Sequence, residues 1–173
     1  MAGSVRVFIA CSLDGFIAGP NDDLSWLPAP EGGEDYGYGA FMAETAAILM
    51  GRATYDVAAA FDPWPYGELP VFVATSRPLP AAPATVRAVA GTPSELLEAV
   101  RTQTDGAVYL DGGSLIRAFL DDNLIDELTV TIVNVILGTG VPLFAGVAAS
   151  HPLRLTSATP YPSGLVQLRY IAL

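Results

Sequence analysis

The sequence predicts an α/β fold: a mainly parallel eight-stranded sheet, helices on both of its faces, and an antiparallel C-terminal end. Three observations carry this. Strand-like and helix-like stretches alternate through residue 121, which demands crossover connections and hence parallel strands. Two apolar strands run straight into glycine turns that open helices, at Gly51 and at Gly112. The stretches after residue 127 are strand-like with no helix between them, so the last strands pair antiparallel.

In order, strands are expected at about 4–11, 47–50, 71–75, 86–90, 107–111, 127–137, 152–159 and 164–172, and helices near 34–46, 52–60, 93–103 and 114–121. Leu49-Met50 is an apolar strand end that meets Gly51-Arg52, and Val71–Arg77 is a strand ending in a hydroxyl pair and an Arg. Thr92-Pro93-Ser94-Glu95 is the clearest helix start, with Thr as cap, Pro first inside and Glu three residues after the cap. Val108–Asp111 is the strand before the second glycine turn. The uncharged run from Leu128 to Ala149 is long enough to raise the membrane question. Its Thr129, Thr131, Asn134, Gly138-Thr139-Gly140 and Pro142 break any continuous apolar helix, so it reads as a buried strand and a turn. Val166–Ile171 is strongly strand-like and suited to pair across a dimer axis, so a homodimer is expected.

Both glycine turns suit phosphate. A helix start presents unpaired backbone N–H groups and partial positive charge, and Gly51, Arg52 and Thr54 add close approach, a guanidinium and a hydroxyl. Gly112-Gly113-Ser114-Leu115 repeats the arrangement, and two such turns fit one diphosphate. Thr75, Ser76 and Arg77 could hold a third phosphate. The pattern points to a nucleotide carrying several phosphates.

Bulk properties agree with one enzyme domain spanning 1–173. Hydrophobic residues make up 51% and charged residues 15%, enough apolar surface to bury a sheet. The net charge of −10, from acids set against eight Arg and no Lys, disfavours nucleic acid and anionic lipid as partners. Cys11 is the lone cysteine, so no intrachain disulfide forms, and its apolar neighbours Ile9 and Ala10 make it core filler. His151 has no Cys or His partner, so no metal is expected. Met1-Ala2-Gly3-Ser4 has neither a basic nor an apolar leader pattern, giving a cytoplasmic location as the expectation.

Ala10–Gly19 (ACSLDGFIAG), Gly51-Arg52-x-Thr54-Tyr55, Ser76-Arg77, Gly112-Gly113-Ser114, Leu124–Leu128 (LIDEL) and Leu137-Gly138-x-Gly140-x-Pro142-Leu143-Phe144 occur in the order seen in one superfamily. By these motifs the chain resembles the dihydrofolate reductase superfamily, most closely its riboflavin-biosynthesis branch, the RibD C-terminal domain. The resemblance implies a three-layer dihydrofolate reductase-like fold and hydride transfer from NADPH to a pteridine or (phosphoribosylamino)pyrimidine-like heterocycle. It also implies that Ala10, Ile17 and a flap at 18–33 hold the nicotinamide. Asp35 matches by spacing the folate-type pocket carboxylate, and walls of Trp26, Tyr36 and Phe41 would raise its pKa. Asp14 matches the branch residue that faces the substrate ribose; its other reading is a turn Asp before Gly15. Asp35 and Asp14 are thus the expected catalytic acids, and Trp26 and Tyr55 the expected substrate contacts.

The chain departs from the pattern at two places. Asp111 precedes Gly112-Gly113 where an apolar residue is expected, and its charge opposes a nearby diphosphate unless it points away. Asn134 stands where the riboflavin branch has Pro, and no His/Cys zinc set of a deaminase is present. Two readings stay open: a reductase of one of these or an unassigned heterocycle, and a non-catalytic dinucleotide-binding protein of the same fold.

Overall fold

The computed structural model describes residues 3–28, 33–79 and 81–173. Strands β1 (Val5–Ser12) and β2 (Phe16–Ala18) are followed by helix α1 (Tyr38–Ala43), strand β3 (Thr45–Gly51) and helix α2 (Arg52–Ala58). Then come β4 (Val71–Ala74), β5 (Val86–Val89), α3 (Pro93–Arg101), β6 (Ala107–Asp111) and α4 (Gly113–Asp121). The chain closes with β7 (Glu127–Val133), β8 (Val141–Pro142), β9 (Leu153–Pro160) and β10 (Val166–Ala172).

Eight of these form one sheet in the order β5-β4-β3-β6-β1-β7-β10-β9. The first six in that order pair parallel, while β10 lies antiparallel between β7 and β9, as the helix-free C-terminal stretch predicts. β3 sits in the middle, and its run Ala47–Met50 is completely buried because both faces are covered. Leu49 meets the layer formed by α3 and α4, where Leu96, Ile116 and Phe119 pack. Ile48 and Met50 point the other way, into the layer holding Tyr55 of α2 and the loop aromatics Trp64 and Tyr66. In α4 the buried set Leu115, Ile116, Phe119 and Leu120 forms one stripe at helical spacing.

Helix α3 carries its expected capping box. Thr92 accepts a bond from the Glu95 amide, and the Glu95 carboxylate accepts the Thr92 amide at 2.7 Å. Helix α1 is shorter than the expected 34–46. Tyr36 and Gly37 adopt positive φ (55° and 83°), which no helix tolerates in sequence, so the helix begins only at Tyr38. β7 also stops short of residue 137: the Val135 amide turns back to the Val133 carbonyl and ends the ladder. The two-stranded ribbon of β2 and β8 was not foreseen; its strands are too short for a periodic signal.

β10 does not offer an edge to a second subunit, because β7 and β9 occupy both of its sides. At this end of the sheet the edge strand is β9, with Leu155 51% exposed, while β5 is the edge at the other end. Among the described residues no helix is long and apolar enough to cross a membrane. Residues 1–2 of the N-terminal stretch Met1-Ala2-Gly3-Ser4 and residues 29–32 of the expected flap lie outside the described residues.

Candidate active site

The helix after β3 covers one face of the sheet and the helix after β6 covers the other, although the two strands are neighbours. Such a divergence opens a crevice at the carboxyl ends of the strands. A cavity of about 440 Å³ lies there, lined by the ends of β1, β3 and β6 and by the loop after β2.

Both glycine turns face it. Gly112 has φ 102°, and a Cβ on it would sit 2.7 Å from Thr54 Oγ1 and 3.3 Å from the Gly51 amide nitrogen. The two turns therefore touch, and only glycine permits that approach. A Cβ on Gly113 would meet the end of Ile17 at 2.9 Å, whereas Gly51 has open space in front of it. Ala10, Ile17, Gly51, Arg52, Thr54 and the run Gly112–Leu115 all line the cavity. Arg52 donates from Nε to Asp56 at 2.7 Å and from Nη1 to the Pro78 carbonyl at 3.0 Å, which ties the loop after β4 to α2. On that loop Thr75 Oγ1 accepts the Arg77 amide, and Ser76 and Arg77 are exposed beside the cavity rather than in its wall.

The two expected acids stand elsewhere. Asp35 is exposed and accepts the Gly37 and Gly39 amides, both at 2.8 Å. Its pKa is lowered, not raised, because these backbone N–H groups stabilise the carboxylate. Asp14 accepts from the Ser12 hydroxyl and from the Leu137 and Gly138 amides, clamping the turn after β1 to the loop before β8. The Ser12 bond leads in holding its pKa down at about 2. Neither residue lines the cavity. Trp26 donates its indole N–H to the Asp23 carbonyl, and Tyr55 is buried against Trp64, so Leu24, Leu27 and Phe61 form the cavity wall instead. Cys11 is buried, and burial followed by the nearby Asp14 charge raises its thiol to about 11.

Among the described residues two acids line the cavity, the exposed Asp22 and the half-buried Asp111. One Asp111 oxygen accepts the Gly112 amide at 2.8 Å, and the other shares the Tyr109 hydroxyl, at 3.2 Å, with the Phe8 carbonyl at 3.0 Å. It thus turns toward the tyrosine. Burial raises its pKa, and the two bonds only partly oppose that. Tyr38 and Tyr66 also line this end, and burial together with the Asp111 charge pushes Tyr38 up to about 12 and raises Tyr66 further. Sequence reasoning noted Asp111 only as a misfit. Strand periodicity puts Tyr109 and Asp111 on one face of β6 and was the signal available for the cluster.

Residues 4–167 match the RibD C-terminal domain family. The chain is 29% identical to the uncharacterised proteins YwjB (95% of each chain) and YyaP (94% of this chain, 91% of that one) of Bacillus subtilis strain 168. A solved structure from Shewanella sp. PV-4, provisionally described as a riboflavin biosynthesis protein, superposes with a TM-score of 0.89 at 34% identity, covering 100% of this chain and 99% of that one. The bifunctional diaminohydroxyphosphoribosylaminopyrimidine deaminase/5-amino-6-(5-phosphoribosylamino)uracil reductase of Thermotoga maritima shares the fold, with a TM-score of 0.72 at 16% identity over 99% of this chain and 57% of that one. The dihydrofolate reductase-like architecture expected from the motifs is the one these structures share, and the chain belongs to the RibD C-terminal domain family.

Proposed function

We propose that this chain is an NADPH-dependent reductase that delivers hydride to a pteridine or (phosphoribosylamino)pyrimidine-like heterocycle in the cavity between β1, β3 and β6. The observation that carries this is the meeting of two glycine turns at a cavity that also holds the half-buried carboxyl group of Asp111, next to the second turn. The open face of Gly51 and the first amides of α4 suit a diphosphate. Arg52 suits a further phosphate: Nη2 has no partner among the described residues while Nε and Nη1 hold the group in place. Ser76 and Arg77 stand on the loop that Arg52 anchors. These three residues are the reason to favour NADPH over NADH. Bound there, the cofactor supplies the hydride.

The chain's own part is to hold, shield and protonate. Ala10 and Ile17 form the apolar floor on which a nicotinamide can lie. Leu24 and Leu27 wall that end, with Phe61, 61% exposed, at its mouth. Asp111, not the capping Asp35 or the clamping Asp14, is placed to handle the proton, since its raised pKa keeps a proton available nearer neutral pH than an exposed carboxylate would. Tyr109 and the Gly112 amide orient it. A cytoplasmic, homodimeric enzyme fits this reading, with β9 as the subunit edge.

The test is NADPH oxidation followed at 340 nm against a panel of dihydropteridines and aminopyrimidine ribosylamines. Turnover of one of them, reduced about a hundredfold or more in kcat by Asp111→Asn with NADPH affinity preserved, is expected from the size of general-acid effects. An unchanged kcat in that variant removes Asp111 from the chemistry.

A further inference from the structure

We propose that Arg117 is a positioning residue of the cofactor site: from α4 it straps the ribbon of β2 and β8 to the first turn of that helix, and so sets the wall on which a nicotinamide lies. The proposal rests on the reductase reading above and deepens it.

The ribbon needs such a strap. β2 has three residues and β8 two, and they pair with each other outside the eight-stranded sheet. A two-stranded ribbon is at best marginally stable by itself in water. Yet Ile17, Ala18 and Val141, all on this ribbon, line the cavity. Two anchors stand close by: Leu143 is buried in the core with its amide on the Gly15 carbonyl, and Asp14 accepts the Leu137 and Gly138 amides. Neither is a directional bond to α4.

Arg117 supplies that bond. Its Nη1 donates to the Pro142 carbonyl at 2.6 Å and to the Leu143 carbonyl at 3.3 Å, while Nη2 donates to the Ser114 hydroxyl oxygen at 3.3 Å. One planar group thus bridges the first turn of α4 and the end of the ribbon. Among the described residues no other hydrogen bond joins α4 to the chain at 15–18 or 141–143. Arg117 forms no ion pair among the described residues, so its charge is directed at the two carbonyls, and charge-assisted bonds are the stronger kind.

The packing leaves no slack at this point. Gly113 and Arg117 are four apart on α4 and share one face of the helix. A Cβ on Gly113 would meet the Ile17 Cδ1 at 2.9 Å, Arg117 Nη1 at 3.1 Å and the Pro142 carbonyl oxygen at 3.1 Å. Helix, strap and ribbon therefore meet at one glycine, and releasing the guanidinium frees Ile17 to move. A cofactor with its nicotinamide on Ile17 and its diphosphate at the α4 amides would touch two elements whose spacing Arg117 fixes. Its adenine end, at Arg52 and the loop after β4, would depend on neither the ribbon nor the strap.

The experiment compares Arg117→Met with the unaltered protein in two measurements. In hydrogen exchange, the Ala18, Val141 and Leu143 amides should exchange at least about tenfold faster in the variant, the scale of one lost charged hydrogen bond, with the Ile48, Leu49 and Met50 amides unchanged. In titration calorimetry, NADPH affinity should fall about tenfold, while that of 2′,5′-adenosine bisphosphate, which lacks the nicotinamide half, changes by less than about threefold. Arg117→Lys, which keeps a cation able to reach one carbonyl, should show both effects to a smaller degree and carries the test if methionine prevents folding. Unchanged exchange at the ribbon overturns the proposal, as does an equal loss of both nucleotides or a loss of neither. Absence of nucleotide binding by the unaltered protein instead removes the reductase reading, and the exchange result still decides the strap, so the two failures are distinguishable.

Discussion

Gly112→Ala is the sharpest perturbation of the site. Gly112 sits at φ 102° and ψ 124°, a region nearly closed to residues with a Cβ. Forcing alanine there costs about 1–3 kcal/mol in backbone strain. The new methyl would also lie 2.7 Å from Thr54 Oγ1 and 3.3 Å from the Gly51 nitrogen. Thr54 can swing aside, but Gly51 is main chain at the end of a buried strand and cannot, so overpacking adds about 1 kcal/mol or more. The expected loss is therefore about 2–4 kcal/mol, read as a fall of roughly 1–2 M in the urea midpoint for a domain of this size. Adding Thr54→Ala should recover only the part due to the hydroxyl contact and leave the backbone strain. A urea midpoint for Gly112→Ala equal to that of the unaltered protein would refute the reasoning, because it would mean that the two turns do not touch.

Further predictions concern parts of the molecule outside the cavity. Thr92→Ala removes the cap of α3 and should lower stability by about 1 kcal/mol in urea unfolding; no change would show that the Glu95 carboxylate suffices alone. Asp14 has its folded-state pKa lowered from 3.8 to about 2, so its contribution is complete above pH 3.8 and is lost as pH falls toward 2. Acid unfolding of Asp14→Asn should therefore converge with that of the unaltered protein over this window, and a stability gap that persists at pH 2 would contradict the clamp. Sedimentation velocity should show a dimer that Leu155→Lys, on the free β9 edge, converts to monomer; a monomer throughout would remove the dimer proposal.

Much of the architecture was legible because its signals are local. The buried run at Ala47–Met50, the Thr92–Glu95 box and the two glycine turns each fix an element from a handful of neighbouring residues. The glycine turns of the cavity were legible for the same reason, since strand, turn and helix start are contiguous at Gly51 and at Gly112. The carboxyl and phenol cluster in the cavity was not. Asp111, Tyr38 and Tyr66 come from β6, α1 and a loop, and they meet only through the tertiary packing of Phe41 against Tyr109 and of Trp64 against Tyr66. Asp35 and Asp14 drew attention by their spacing, yet their short side chains are satisfied by amides two to four residues on and by the loop at 137–138. A carboxylate that reaches local N–H groups becomes a cap or a clamp. One whose strand points it inward, beside a buried phenol, faces the cavity instead.

The reductase reading is tested most directly by fluorescence titration of the protein with NADPH and with NADH, repeated with Arg52→Ala. The account predicts micromolar NADPH binding, weaker binding of NADH, and an NADPH affinity reduced by about tenfold in the variant, the scale of one charge-assisted phosphate contact. Absence of binding by either nucleotide would contradict it and leave the glycine turns as packing devices only.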